Sequence, residues 1–111
     1  MKTIKSSQRI GEILREGRRA GTPELSLIAL PREDQHDQAG RVAFIAGKKL
    51  GNAVWRNRAK RRLRALCREL GGPFPGCDVI FLARKNVGSA PFAAMADHAA
   101  KAAGKLGLKH D

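Results

Sequence analysis

Between Arg56 and Arg68 the chain carries six arginines, one lysine and no acid, a combination suited to holding phosphate. At 100° per residue, Asn57, Lys60, Arg61, Arg64 and Arg68 fall on one side of a helix, with Arg56 and Arg58 on its flanks. A guanidinium is a planar fork that clamps two phosphate oxygens or stacks on a base, so the preference for arginine points to RNA rather than to mere solubility. Like charges at i, i+4 spacing (Arg56, Lys60, Arg64, Arg68) cost roughly a few tenths of a kcal/mol per pair in the free helix. Bound phosphates would offset that cost. A solvated helix face usually mixes signs to gain ion pairs, yet from Gln38 to Arg68 there are ten basic residues and no acid, Arg41, Lys48, Lys49 and Arg62 included.

Just before this segment, Gly47-Lys48-Lys49-Leu50-Gly51-Asn52 sets two lysines between glycines, where backbone amides and ammonium groups can approach a phosphate. It is not a nucleotide-binding P-loop, which would need glycine at Val42 and a hydroxyl residue at Lys49. Candidates for catalysis by the protein itself are thin. His36 lies with Asp34 and Asp37 in a polar loop, His98 is near Asp97, and His110 is close to the C-terminus; each reads as an isolated loop or surface residue. No catalytic residue and no protein metal site is legible. Cys67 and Cys77 are too few and too poorly spaced for a zinc site or a disulfide framework, and read as small core-filling thiols.

The elements that must position the basic face follow from periodicity. Trp55, Ala59, Leu63, Leu66 and Leu70 fall within about 80° of one another and predict a helix from Ala53 to Leu70, ended by Gly71, Gly72 and Pro73. Ile10, Ile13 and Leu14 give an apolar face to a helix from about Ser6 to Glu16, capped by Ser6 or Ser7 and ended by Gly17. Leu25 to Leu30, Arg41 to Ala46 and Val79 to Ala83 read as strands. A last helix carries Phe92, Met95, Ala96, Ala99 and Ala103, introduced by Ser89 and Pro91. The stretch from Arg32 to Gly40 predicts a flexible loop, and the chain from about residue 104 a loose tail. Helix, strand, strand, helix, strand, helix in one domain of 111 residues predicts an α+β, two-layer arrangement of helices on a sheet.

The string from Gly47 through Gly51-Asn52-Ala53-Val54-Trp55-Arg56-Asn57-Arg58-Ala59-Lys60-Arg61-Arg62-Leu63-Arg64 resembles the signature of the bacterial ribonuclease P protein family, an Arg-Asn-Arg element followed by Lys-Arg-x-x-Arg. Weaker likenesses flank it: a first helix closed by Gly17-Arg18-Arg19, Arg41-Val42 opening a strand, Asp78 heading the next one, and Ala83-Arg84-Lys85 at its end. The resemblance implies a sheet of about four strands, one more than periodicity finds, with the signature helix in a left-handed crossover. It implies RNA contacts at Lys48, Lys49, Asn52, Arg56, Arg58, Lys60, Arg62, Arg64 and Arg68, with Asn57 and Arg61 also bordering a cleft for the 5′ leader of precursor tRNA. At cleft positions usually aromatic in the family this chain has Ile10, Leu14 and Ile28, which predicts leader contact by aliphatic packing and charge.

A net charge of +12 fits a polyanionic partner. No apolar run approaches the roughly 20 residues of a membrane span, and Met1 to Ser7 lacks the apolar stretch of a secretory signal, so the chain is expected in the cytoplasm. The partners implied are ribonuclease P RNA and precursor tRNA. The protein would be the non-catalytic subunit of an endoribonuclease, monomeric outside the ribonucleoprotein and binding no cofactor, with Mg²⁺ required by the RNA. The alternative is a ribosome-associated or general structured-RNA-binding protein that uses the basic helix as scaffold. A DNA-binding helix-turn-helix is disfavoured, because strands and a lysine loop precede the basic helix.

Overall fold

The computed structural model describes residues 1–33 and 38–108. The elements are α1 (Ser7–Glu16), β1 (Arg18–Gly21), β2 (Leu25–Pro31), β3 (Arg41–Ile45), α2 (Ala53–Glu69), β4 (Cys77–Ala83) and α3 (Phe92–Lys105), with single 3₁₀ turns at Lys48–Leu50 and Lys85–Gly88. They form an α+β fold with one four-stranded sheet in the order β1-β2-β4-β3. β2 pairs antiparallel with β1 and β4, whereas β3 runs parallel to β4, so α2 is the crossover between parallel neighbours.

The caps follow the residues. Ser6 Oγ accepts from the Arg9 amide at 3.1 Å and starts α1; Gly17 ends it, its amide donating to the Ile13 carbonyl at 2.8 Å. Asn52 Oδ1 accepts from the Trp55 amide at 2.9 Å and starts α2. Gly71, at φ 83°, follows its C-terminus in the left-handed region that glycine favours.

β1 is the strand that periodicity missed. Arg18-Arg19-Ala20-Gly21 has no apolar alternation because it is an edge strand with exposed side chains, held by its ladder to Ala29, Ile28, Leu27 and Ser26. Arg18 and Arg19 thus open a strand rather than close the helix. Residues 104–108 are not the loose tail expected there. α3 continues to Lys105, Leu106 is buried, and the Leu108 amide donates to the Ala103 carbonyl at 3.0 Å. Of the expected loop between β2 and β3, residues 34–37 lie outside the described residues.

Two apolar layers sandwich the sheet. Leu25, Leu27, Ala29, Val42, Val79 and Phe81 face Ala59, Leu63, Leu66 and Cys67 of α2 and Met95, Ala99, Ala102 and Ala103 of α3. The alternate residues Ile28, Ala43 and Ile80 face Ile4 and Ile13, so α1 adds a partial third layer on the opposite side. One buried carboxylate ties that layer down. Asp78 accepts from Arg9 Nε of α1 at 2.8 Å and from Arg41 Nε and Nη2 of β3 at 2.9 and 2.7 Å.

Both cysteines are free thiols, Cys67 buried and Cys77 half-buried. Burial pushes Cys67 up to about 11 against the pull of Arg68 and Arg64, so it remains an inert thiol that fills the core.

Candidate nucleic-acid interface

α2 buries Ala59, Leu63, Leu66 and Cys67 against the sheet, which turns its opposite side outward. Asn57, Lys60, Arg61, Arg64 and Arg68 are all exposed there. Among the described residues, no carboxylate pairs with any cation of α2. The face therefore presents positive charge that the fold leaves unneutralised. Arg64 is the most constrained of these residues, its guanidinium carbon 5.3 Å from the centre of the Phe44 ring.

The other arginines of the segment behave differently. Arg58 Nε donates to the Gly88 carbonyl at 2.7 Å, and Arg62 donates from Nη1 to Val87 at 3.0 Å and from Nη2 to Ala90 at 2.7 Å. Trp55 Nε1 donates to the Lys85 carbonyl at 3.1 Å. Three side chains of α2 thus grip the turn after β4 through its carbonyls, and in doing so fix exposed Lys85 beside the helix. Arg58 and Arg62, which the resemblance implies as RNA contacts, have guanidiniums already engaged within the protein, and Arg62 also packs 5.9 Å from the Phe92 ring centre. Arg62→Ala is expected to cost about 2 kcal/mol in a denaturation experiment, since two charge-assisted hydrogen bonds to carbonyls are lost together. Arg62→Lys should restore little, because an ammonium lacks the fork that spans both carbonyls.

Lys48 and Lys49 are exposed on the 3₁₀ turn that leads into α2. The close approach of Gly51 to Trp55 sets the path of this turn: a Cβ on Gly51 would stand 2.7 Å from the indole. Asn52, counted above among RNA contacts, spends its side-chain oxygen on the helix cap. Arg56 is half-buried, with Nη1 3.4 Å from the Gly51 carbonyl.

The residues assigned to a leader cleft are divided. Asn57 and Arg61 line a groove formed by α2 residues alone, whereas Ile10 and Leu14 lie half-buried on α1, across the sheet. Ile28 is fully buried beneath α1 and offers no surface to a base, which corrects its place in the cleft. What stays partly open on the α1 face is Ile10, Leu14, Leu30, Ile45 and Leu82. Two cations border it: Arg19 Nη2 reaches the Leu14 carbonyl at 3.3 Å, and Arg84 Nη2 reaches Ser26 Oγ at 3.3 Å. An apolar strip edged by arginines thus remains, one sheet row away from Ile28.

His98 is not isolated. Its Nδ1 lies 3.0 and 3.1 Å from the two oxygens of buried Glu24, pinning α3 to the start of β2, while neighbouring Asp97 pairs with Lys101 at 3.4 Å. Thr22 Oγ1 also donates to Glu24, at 3.4 Å, and among the described residues no hydroxyl or thiol is bonded to His98. His36 and His110 lie outside the described residues, within which no cluster of His, Cys, Asp or Glu can hold a metal ion. No described helix is long and apolar enough to cross a membrane.

A family model described as Ribonuclease P matches residues 1–107. The chain is 35% identical over 100 residues to the ribonuclease P protein component of Gluconacetobacter diazotrophicus, covering 88% of this chain and 84% of that one. It is 45% identical over 69 residues to that of a Nocardioides species, covering 62% and 59% respectively. The fold matches a solved ribonuclease P protein of Staphylococcus aureus with a TM-score of 0.79 at 19% identity, covering 97% of each chain. It matches the Thermotoga maritima protein at 0.72 and 18% identity, covering 91% of this chain and 94% of that one.

Proposed function

The chain belongs to the ribonuclease P protein family, and with it to tRNA 5′ processing as a subunit; on that premise we propose that its α2 face and the adjoining lysine turn bind the catalytic RNA while the α1 face holds the 5′ leader of precursor tRNA. The observation that carries this reading is the row of exposed α2 cations with no carboxylate partner among the described residues. Lys48, Lys49, Lys60, Arg61, Arg64 and Arg68 neutralise phosphates where the RNA would otherwise repel its substrate. Lys85, held beside them, extends the same surface. Arg58 and Arg62 act mainly by building it.

Leader contact on the α1 face comes from Ile10, Leu14, Ile45 and Leu82 by apolar packing, with Arg19 and Arg84 on the backbone. No base can stack on an aromatic ring there, so discrimination between leader bases is weak. The phosphodiester hydrolysis, and the Mg²⁺ it requires, belong to the RNA subunit. The protein's part is to lower the Mg²⁺ concentration at which that RNA works, by supplying fixed positive charge.

The test is cleavage of a precursor tRNA by a bacterial ribonuclease P RNA at low Mg²⁺, with and without this protein. Strong stimulation yielding a mature 5′ end is the expected result. Tight binding to a matched RNA without stimulation would make the chain a structured-RNA scaffold instead.

A further inference from the structure

Val54 is 76% exposed in the first turn of α2, in the middle of the most cationic surface of the molecule. Neither packing nor propensity accounts for it, since it buries little and a β-branched residue is a poorer helix former than alanine. Val54 lines a shallow groove of about 590 Å³ with Asn57, Lys60, Arg61 and Arg64. Asn57 and Arg61 follow it at i+3 and i+7, so apolar, amide and cationic groups succeed one another along one side of the helix over about 10 Å.

We propose that this groove seats an unpaired nucleotide of RNA, its base on Val54, its edge on the Asn57 amide and its flanking phosphates on Lys60, Arg61 and Arg64. The proposal rests on α2 being the RNA face and adds what that face selects. Charge chooses the class of partner, because the groove carries three cations and no acid. Val54 chooses the state of the strand. In an A-form duplex the base faces are stacked and the phosphates are what a helix meets, so an apolar group at the surface finds nothing to cover. An unstacked base has a free apolar face to lay on the valine. A primary amide donates and accepts at once, which is the chemistry that reads a base edge, and no hydrogen bond within the described protein occupies that of Asn57.

The experiment measures binding of the whole chain, at each of several salt concentrations, to three RNAs of equal charge: a single-stranded oligonucleotide, the same strand with abasic residues, and a duplex. The wild type is expected to favour the base-bearing strand over the abasic one by about 5- to 10-fold. Val54→Ser should bring that ratio close to one, and Val54→Met should restore it. Asn57→Ala should narrow the spread of affinities among homopolymers. Lys60→Ala should weaken binding to all three RNAs and flatten the salt dependence while keeping the ratio. A wild-type ratio near one, or an unchanged ratio in Val54→Ser, would overturn the proposal, as would self-association of the wild type that Val54→Ser abolishes, which would give the groove to a second copy of the chain. Stimulated cleavage with no base preference would sink this proposal alone; base preference without stimulated cleavage would leave the groove standing and remove the assignment to leader processing.

Discussion

A chain in which Lys60, Arg61 and Arg64 are all alanine is expected to bind structured RNA about 10²- to 10³-fold more weakly and to fold at least as well as the wild type. Each residue is exposed, and none is paired with a carboxylate of the described chain. Losing three phosphate contacts forfeits three charge-assisted hydrogen bonds and should reduce the salt slope by about 0.7 to 0.9 for each contact. Stability moves the other way. Lys60 and Arg64 stand in the like-charged row Arg56, Lys60, Arg64, Arg68, and alanine is the better helix former, so relief of repulsion works against the lost contact of Arg64 with Phe44. Binding isotherms at several salt concentrations, beside denaturation of the free protein, separate the two effects. A mutant with full affinity and an unchanged slope would remove α2 from the interface; a mutant that unfolds would make the row a structural element.

The reason α2 was readable from sequence is that burial and charge obey the same 3.6-residue period, so one pattern predicts both the helix and its outward side. What a helical wheel supplies is direction, not partners. It sets Arg58 and Arg62 to the side of the face that carries Arg61, but does not show that they end on the carbonyls of residues 87–90, about 25 to 30 positions further along. Their partners belong to a turn whose place depends on how β4 leaves the sheet. Ile28 failed as a cleft residue for a different reason. Leu25 to Ala29 is buried at every position, because helices cover both faces of the sheet, and the alternation that would have told an inner from an outer residue is absent. β1 was hidden by the opposite condition, an edge strand that buries no side chain and leaves no pattern. Glu24 and His98 lie 74 residues apart, a distance at which only the finished topology reveals a pair.

The same holds for Asp78, whose replacement should have the largest effect on stability. Asp78→Asn is expected to cost about 3 kcal/mol, a large part of the roughly 5–15 kcal/mol that holds a domain of this size together. The carboxylate is fully buried, and removing its charge takes from Arg9, Arg32 and Arg41 the anion they share, although Arg9 keeps Glu12. Arg9 and Arg41 keep 21% and 29% of their side-chain exposure and can recover hydration, while Arg32, 3.8 Å from the carboxylate, keeps 9%; the two exposed partners place the cost at the lower end for a broken buried pair. Burial alone would raise the Asp78 pKa; the hydrogen bonds and charges of Arg41 and Arg9 outweigh it and hold the carboxyl below its usual range. The unfolded chain therefore takes up this proton more readily than the folded one. The stabilisation is complete above the ordinary carboxylate range and is lost as pH falls through the lowered value, so the wild type should lose stability in acid along a limb that Asp78→Asn largely lacks. Denaturation midpoints of both proteins from neutral pH downward test this, and parallel curves would show that Asp78 is not the group responsible. The site should feel the change unevenly. Arg9 precedes Ile10 on α1, so losing its bond to Asp78 loosens the helix that bears Ile10 and Leu14, which keeps the Arg9 bond to the Pro31 carbonyl and the packing of Ile13, while α2 packs on the other side of the sheet. At a temperature where Asp78→Asn remains folded, its RNA affinity should stay near that of the wild type and its sensitivity to leader length should fall.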